Sequence, residues 1–125
     1  MKAPTAPQSA HGTPTGASGP ARTAPVFHSV LELIGNTPML ELTKLDTGKC
    51  RLFAKLELMN PAQSIKDRIG LRMIEDAERD GRLNPKGTPR PTIVEATAGN
   101  TGLGLALVAG QKGYALKVVV PDKMS

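Results

Sequence analysis

The chain reads as an α/β protein made of a short antiparallel hairpin followed by a parallel β-α-β unit. Three observations predict this. Residues 92–120 run strand, small-residue loop, helix, strand, an order that makes a parallel crossover unit. Residues 50–58 alternate apolar and polar side chains. Ile65, Ile69, Met73, Ile74 and Ala77 recur at helical spacing.

Taken in order, residues 1–28 are mostly Pro, Ala, Thr, Gly and Ser, a composition that cannot bury enough apolar area to offset the entropy of ordering. A disordered tail is expected there, with a domain over 29–125. Residues 1–25 lack acids, as a transit peptide would, but their single Arg and five prolines spoil an amphipathic helix. With no apolar h-region, no secretory signal is expected.

Order is expected to begin at Ser29. Ser29-Val30-Leu31-Glu32 fits a capping box opening a short helix that ends at Gly35. Asn36-Thr37-Pro38 is a turn, Met39–Leu42 a short strand and Asp46-Thr47-Gly48-Lys49 a second turn. In the next strand, Cys50, Leu52, Ala54, Leu56 and Leu58 share one face and Arg51, Phe53, Lys55 and Glu57 the other. A helix is predicted over 64–79, capped by Gly81. Residues 84–91 form a loop with three prolines. Strand 92–96, loop 97–102, helix 103–112 and strand 116–120 complete the chain.

Two parallel strands are few, because parallel sheets are normally larger and covered on both faces. The sequence therefore reads as truncated, the opening of a larger protein. Left alone, its strands would expose unpaired edges. The 125-residue chain is expected to be marginally folded and inactive on its own.

Composition excludes several function classes. No apolar run approaches the ~18 residues of a membrane helix, so no membrane association is expected. A lone Cys50 rules out an internal disulfide framework and a cysteine-based zinc site, and fits a reducing, cytoplasmic setting. The net charge is +5, but the tail holds Lys2 and Arg22 without acids, leaving 14 basic and 11 acidic residues interspersed. With Phe27, Phe53 and Tyr114 the only aromatics, no basic and aromatic surface for nucleic acid is expected. No Ser/His/Asp constellation or metal-ligand spacing can be assembled, so no metal is expected. Lys55, Arg72 and Lys112 read as solvated, and Cys50 as a small apolar filler.

Two places could carry chemistry. The loop Thr97-Ala98-Gly99-Asn100-Thr101-Gly102 precedes a helix, where unpaired amides and the macrodipole favour a small anion. Gly admits the anion to the backbone, and Thr97, Asn100 and Thr101 add donors. A tight turn with nothing bound is the plain alternative. P-loop and G-x-G-x-x-G patterns are absent, and Gly99, Gly102 and Gly104 have the reverse spacing. Asp122, twenty residues after Gly102, keeps a dinucleotide-binding domain open.

The second place is Ser64-Ile65-Lys66-Asp67-Arg68. Lys66 falls in the first turn of a helix, where the dipole and Arg68 favour a neutral, nucleophilic amine and Asp67 opposes it. An exposed surface lysine is the plain reading of such a residue alone. The expected arrangement has the amine facing the 97–102 cradle across a gap the size of a small amino acid.

Together, Asn60-Pro61-Ala62-Gln63-Ser64-Ile65-Lys66-Asp67-Arg68 and Glu95-Ala96-Thr97-Ala98-Gly99-Asn100-Thr101-Gly102 resemble the cysteine synthase and cystathionine β-synthase family. Ile34-Gly35-Asn36-Thr37-Pro38 and Val120-Pro121-Asp122-Lys123-Met124-Ser125 resemble the same family. These are fold type II enzymes dependent on pyridoxal 5'-phosphate. The resemblance implies that Lys66 bonds covalently to the cofactor and later removes the substrate α-proton. It implies that Asn100 hydrogen-bonds the cofactor's ring hydroxyl, and that Thr97, Gly99, Asn100 and Thr101 hold the substrate carboxylate. The implied reaction is β-replacement, in which an activated serine loses its β-substituent and gains a thiol. Sulfide would give cysteine and homocysteine would give cystathionine. A homodimer at full length is implied as well. Ala98 stands where many members carry Ser. The family's later Gly-rich phosphate loop, and the Ser or Thr that contacts its pyridine nitrogen, have no match here. A non-catalytic remnant acting through partner contacts is the remaining alternative.

Overall fold

A computed structural model describes residues 24–123. Most of the predicted tail, 1–23, and the last two residues lie outside them. Residues 24–28 are exposed and irregular.

Ser29 caps a 3₁₀ turn, Val30–Leu33, by accepting the Leu31 N–H at 3.2 Å. The tighter 3₁₀ winding departs from the expected capping box. The Glu32 carboxylate accepts the N–H of His28, not of Ser29, at 3.3 Å. Gly35 (φ +89°) and Asn36 (φ +46°) then reverse the chain.

β1 (Met39–Glu41) and β2 (Phe53–Lys55) pair antiparallel, with Leu40 opposite Ala54. This hairpin is shorter than expected. Cys50 and Leu52 are exposed, and Glu57–Met59 is a second 3₁₀ turn. Alternation predicts which side chains share a face, but a strand extends only as far as its partner reaches. Cys50 is therefore exposed and not the expected apolar filler.

α1 (Lys66–Arg79) packs on α2 (Asn100–Lys112), and α2 connects β3 (Thr92–Ala96) to the parallel β4 (Ala115–Val119). The predicted crossover unit is thus present, with Ile93 opposite Leu116 and Glu95 opposite Val118. α2 begins at Asn100, three residues before the sequence reading, and ends at Gly113 in the left-handed conformation expected of a C-terminal cap.

The core is small. Ile74, Leu105, Val108, Ala109 and Tyr114 form it, with Leu31, Ile34, Leu71, Leu83, Ile93 and Leu116 against it. Among the described residues six hydrophobic side chains are buried while eighteen large ones are exposed. That ratio leaves both two-stranded sheets with open edges and uncovered apolar faces, Val94 and Val119 included.

The α1–α2 contact depends on two glycines. A Cβ on Gly70 would lie 2.6 Å from the Gly104 carbonyl carbon, and a Cβ on Gly104 would lie 2.6 Å from the Lys66 carbonyl oxygen. The buried stripe of α1 is Asp67, Gly70, Ile74 and Ala77, whereas Ile65, Ile69 and Met73 of the expected stripe are exposed. Close approach at glycine turns the helix away from its larger side chains. At the far end of the pair, the Glu78 carboxylate accepts from Lys112 Nζ at 2.7 Å and from the Tyr114 hydroxyl at 2.9 Å. Lys112 is accordingly no free solvated side chain. Arg72 pairs with Asp76 at 3.0 Å on the surface, and Lys55 donates to the Thr37 carbonyl at 2.9 Å. No helix among the described residues is long and apolar enough to cross a membrane.

Candidate active site

Lys66 is the first residue of α1. The loop before it is built by two polar groups. Ser64 Oγ accepts the Lys66 N–H at 3.1 Å and donates to Asp67 at 3.3 Å. The fully buried Asp67 carboxylate also accepts the Ala62 N–H at 2.5 Å. A carboxylate in a helix's first turn complements the macrodipole while it ties the preceding loop down. Gln63 takes φ +63° between these contacts, and its N–H donates to Asn60 at 2.7 Å.

Asp67 and Arg68 are both engaged by partners other than the Lys66 amine. Arg68 forms a two-pronged pair with Glu57, Nε to Oε2 at 2.8 Å and Nη2 to Oε1 at 2.9 Å. Thr37 donates to the same carboxylate at 2.6 Å and Asn60 Nδ2 at 2.9 Å. Asn60, nearly fully buried, accepts the Gly35 N–H at 2.7 Å and donates to the Glu57 carbonyl at 2.7 Å. Thr37 and Asn60 lie within motifs that the sequence offers but without a role there, and Glu57 lies outside all of them. Apart from the Asn60–Glu57 pair, three residues apart, their partners lie 11 to 31 residues away across loops, where no periodicity connects them.

The Arg68 guanidinium, then the Thr37 hydroxyl, lowers the Glu57 pKa from 4.5 to about 2. The folded chain therefore binds fewer protons than the unfolded chain between those values. The stability Glu57 contributes is complete above 4.5 and lost as pH falls toward 2. In the full-length protein, melting temperatures from pH 5 to pH 2 are expected to fall less steeply in Glu57→Gln than in wild type.

The second element is the 97–102 loop. Gly99 is the N-cap of α2, and a Cβ there would meet nothing within 4 Å. Thr97 N–H pairs with the Val119 carbonyl at 3.1 Å and Gly102 N–H with Gly99 at 2.9 Å. Among the described residues the amides of Ala98, Gly99, Asn100 and Thr101 have no hydrogen-bond acceptor. This is an open helix start with four free donors, as an anion site requires.

Thr97, Gly99 and Asn100 line one open groove of about 490 Å³, together with Leu103, Ala106 and Val120. Thr101 lies beside it, half-buried. Lys66 does not line that groove, and among the described residues its Nζ has no hydrogen-bond or ion-pair partner. What joins the two places is backbone, since the Lys66 carbonyl rests against Gly104, one turn into α2. The groove opens on the Leu103–Ala106 flank of α2, about 100–160° around the helix from Gly104. The two helix starts are together, but the amine is not seen across the groove from the loop. Gly102 and Gly104 lie inside α2 and serve packing, Gly102 against Thr97 and Gly104 against Lys66. Neither acts as a loop glycine of a dinucleotide fingerprint. No cluster of metal-ligating side chains occurs among the described residues.

Residues 30–125 match the family described as pyridoxal-phosphate dependent enzymes. The chain is 50% identical over 101 residues to a cystathionine beta-synthase of Saccharomyces cerevisiae, covering 78% of this chain and 19% of that protein. It is 52% identical over 99 residues to a cysteine synthase of a Flavobacterium species, covering 79% of this chain and 31% of the relative. Its fold is similar to that of a hydrogen sulfide-producing enzyme from Fusobacterium nucleatum, with TM-score 0.74 and 46% identity over 86% of this chain and 33% of that one. The chain thus spans between a fifth and a third of the length of these relatives. With a lysine opening one helix, a small-residue loop opening the next and two glycines holding them together, the chain belongs to the family of pyridoxal-phosphate dependent enzymes.

Proposed function

We propose that this chain is the N-terminal portion of a β-replacement enzyme that makes cysteine or cystathionine from an activated serine and a thiol. The observation that carries the reading is the seating of the Lys66 turn on the first turns of α2, beside a loop with four free amides. These residues fit one side of pyridoxal 5'-phosphate and its amino-acid substrate. Lys66 offers an amine with no competing partner among the described residues, and the open loop tip at Gly99 leaves room for an anion.

In this reading Lys66 would hold the cofactor, and its amine would take the α-proton of the substrate. The cofactor, when bound, supplies an electron sink for the charge that proton leaves behind. Asn100 would hydrogen-bond the cofactor's ring hydroxyl. Thr97, Gly99, Asn100 and Thr101 bind the substrate carboxylate and orient its α-carbon toward the lysine. The full-length protein is cytoplasmic and acts as a homodimer. The names of the relatives, cystathionine beta-synthase and cysteine synthase, support both cystathionine and cysteine as products.

The test is a turnover assay with pyridoxal 5'-phosphate, O-acetylserine or serine, and either thiol. The full-length protein is expected to form cysteine or cystathionine. The 125-residue chain alone is expected to form neither and to unfold without a sharp transition, because its apolar faces lack cover. Cooperative unfolding together with turnover from the chain alone contradicts the second expectation. No β-replacement by the full-length protein contradicts the first.

A further inference from the structure

Three segments of the chain converge on the turn that carries Lys66. Arg68, two residues on, reaches out of α1 with both prongs of its guanidinium on Glu57. Glu57 is held in turn by Thr37 and Asn60, and Asn60 is anchored on Gly35. Gly35 itself leaves room for the fork, since Arg68 Nη1 lies 2.8 Å from where a Cβ on Gly35 would sit. From the other side, Gly104 abuts the Lys66 carbonyl. The Arg72 and Arg79 pairs of α1 with Asp76 stay within the helix and anchor nothing outside it. A fork that grips both oxygens of a fixed carboxylate resists rotation as well as sliding, which a single contact does not.

We infer that Glu57 and Arg68 are positioning residues that set where the Lys66 amine stands, and so how readily it bonds to pyridoxal phosphate. The inference rests on the role given to Lys66 above. An amine misplaced by about 1 Å loses roughly 100-fold in rate. The mean position of Lys66 is fixed by its helix turn, and the turn is fixed by the fork. Gln at 57 keeps the shape and loses the charge. Lys at 68 keeps the charge and loses the second prong.

The experiment adds pyridoxal 5'-phosphate to cofactor-free full-length protein, quenches with borohydride at successive times and reads the reduced adduct on each lysine by peptide mass. Wild type, Glu57→Gln, Arg68→Lys and Thr37→Val are compared, with kcat and KM measured in parallel. Arg51→Lys is the control, because Arg51 grips Glu41 with the same two-pronged geometry on the exposed hairpin. The adduct on Lys66 is expected to form about 10- to 100-fold more slowly in Glu57→Gln and Arg68→Lys, with kcat falling similarly and amino-acid KM little changed. Thr37→Val, which removes one donor to Glu57, changes both in the same direction by less and remains informative if Glu57→Gln does not fold. Arg51→Lys matches wild type. Adduct rates equal to wild type in Arg68→Lys and Thr37→Val overturn the inference while leaving the role of Lys66 standing. A wild-type adduct on another lysine overturns both.

Discussion

Lys66→Ala in the full-length protein is expected to lower β-replacement by roughly 10²–10⁴-fold, the usual contribution of a positioned proton-transfer group, while leaving the fold intact. The separation of the two effects is the informative part. Among the described residues the Lys66 Nζ holds no partner, so removing it breaks no contact. Its backbone contacts, the N–H to Ser64 and the carbonyl against Gly104, remain. Alanine is also a better helix former than lysine. Melting temperature should therefore stay within a few degrees of wild type while turnover collapses. A small added amine is expected to restore part of the proton transfer. An equal loss of stability and activity would assign Lys66 to the scaffold instead.

Gly104→Ala is expected to do the reverse, damaging the fold and the site together. The added Cβ would stand 2.6 Å from the Lys66 carbonyl oxygen and 3.2 Å from the Asp67 nitrogen, backbone atoms that cannot swing aside. Overpacking of this kind costs about 3 kcal/mol, and the better helix propensity of alanine returns about 1 kcal/mol. A net loss of about 2 kcal/mol follows if the helices separate. Separation also carries Lys66 away from Asn100, so turnover should fall by about 100-fold at temperatures where the protein is still folded. Gly70→Ala meets the same contact from the other helix, at 2.6 Å from Gly104, so the double variant should cost less than the sum. Denaturant titration of the three variants against wild type measures this. A neutral Gly104→Ala would mean that the helix contact does not hold the site.

Much of the fold is legible in the sequence because local signals and tertiary contacts agree there. The crossover over 92–120 combines a β-branched strand, a small-residue loop and a helix stopped by Gly113, and the structure contains all three. The start of α2 is less legible. Asn100-Thr101-Gly102 has the composition of a turn, yet it forms the first helical turn, where exposed amides and small side chains are tolerated. The face of α1 is misread for a physical reason as well. Periodicity puts Ile65, Ile69, Met73, Ile74 and Ala77 on one buried stripe; Ile74 and Ala77 are buried, but a pair of glycines lets the backbones touch on a flank that leaves the other three exposed. The alternation at 50–58 predicts a longer strand than β2, because side-chain pattern does not supply the partner strand that would extend it.

The candidate site shows the same division. Lys66 at a helix start and the 97–102 loop are readable as chemistry from residue type and position. The network that braces the Lys66 turn is not readable, because Gly35, Thr37, Glu57, Asn60 and Arg68 meet only once the chain has folded back on itself. The exposed apolar faces of both sheets belong to this division too. They are visible in the sequence as ordinary core positions, and only their lack of cover marks a site that needs more protein around it.

The most direct measurement is the identity of the lysine that carries the cofactor in the purified full-length protein. The amine condenses with the cofactor's aldehyde and releases one water, and borohydride makes the bond permanent for peptide mapping. The account predicts one reduced pyridoxyl group per chain, on the peptide that contains Ser64-Ile65-Lys66. A stoichiometric label on any other lysine, with Lys66 unmodified, contradicts it.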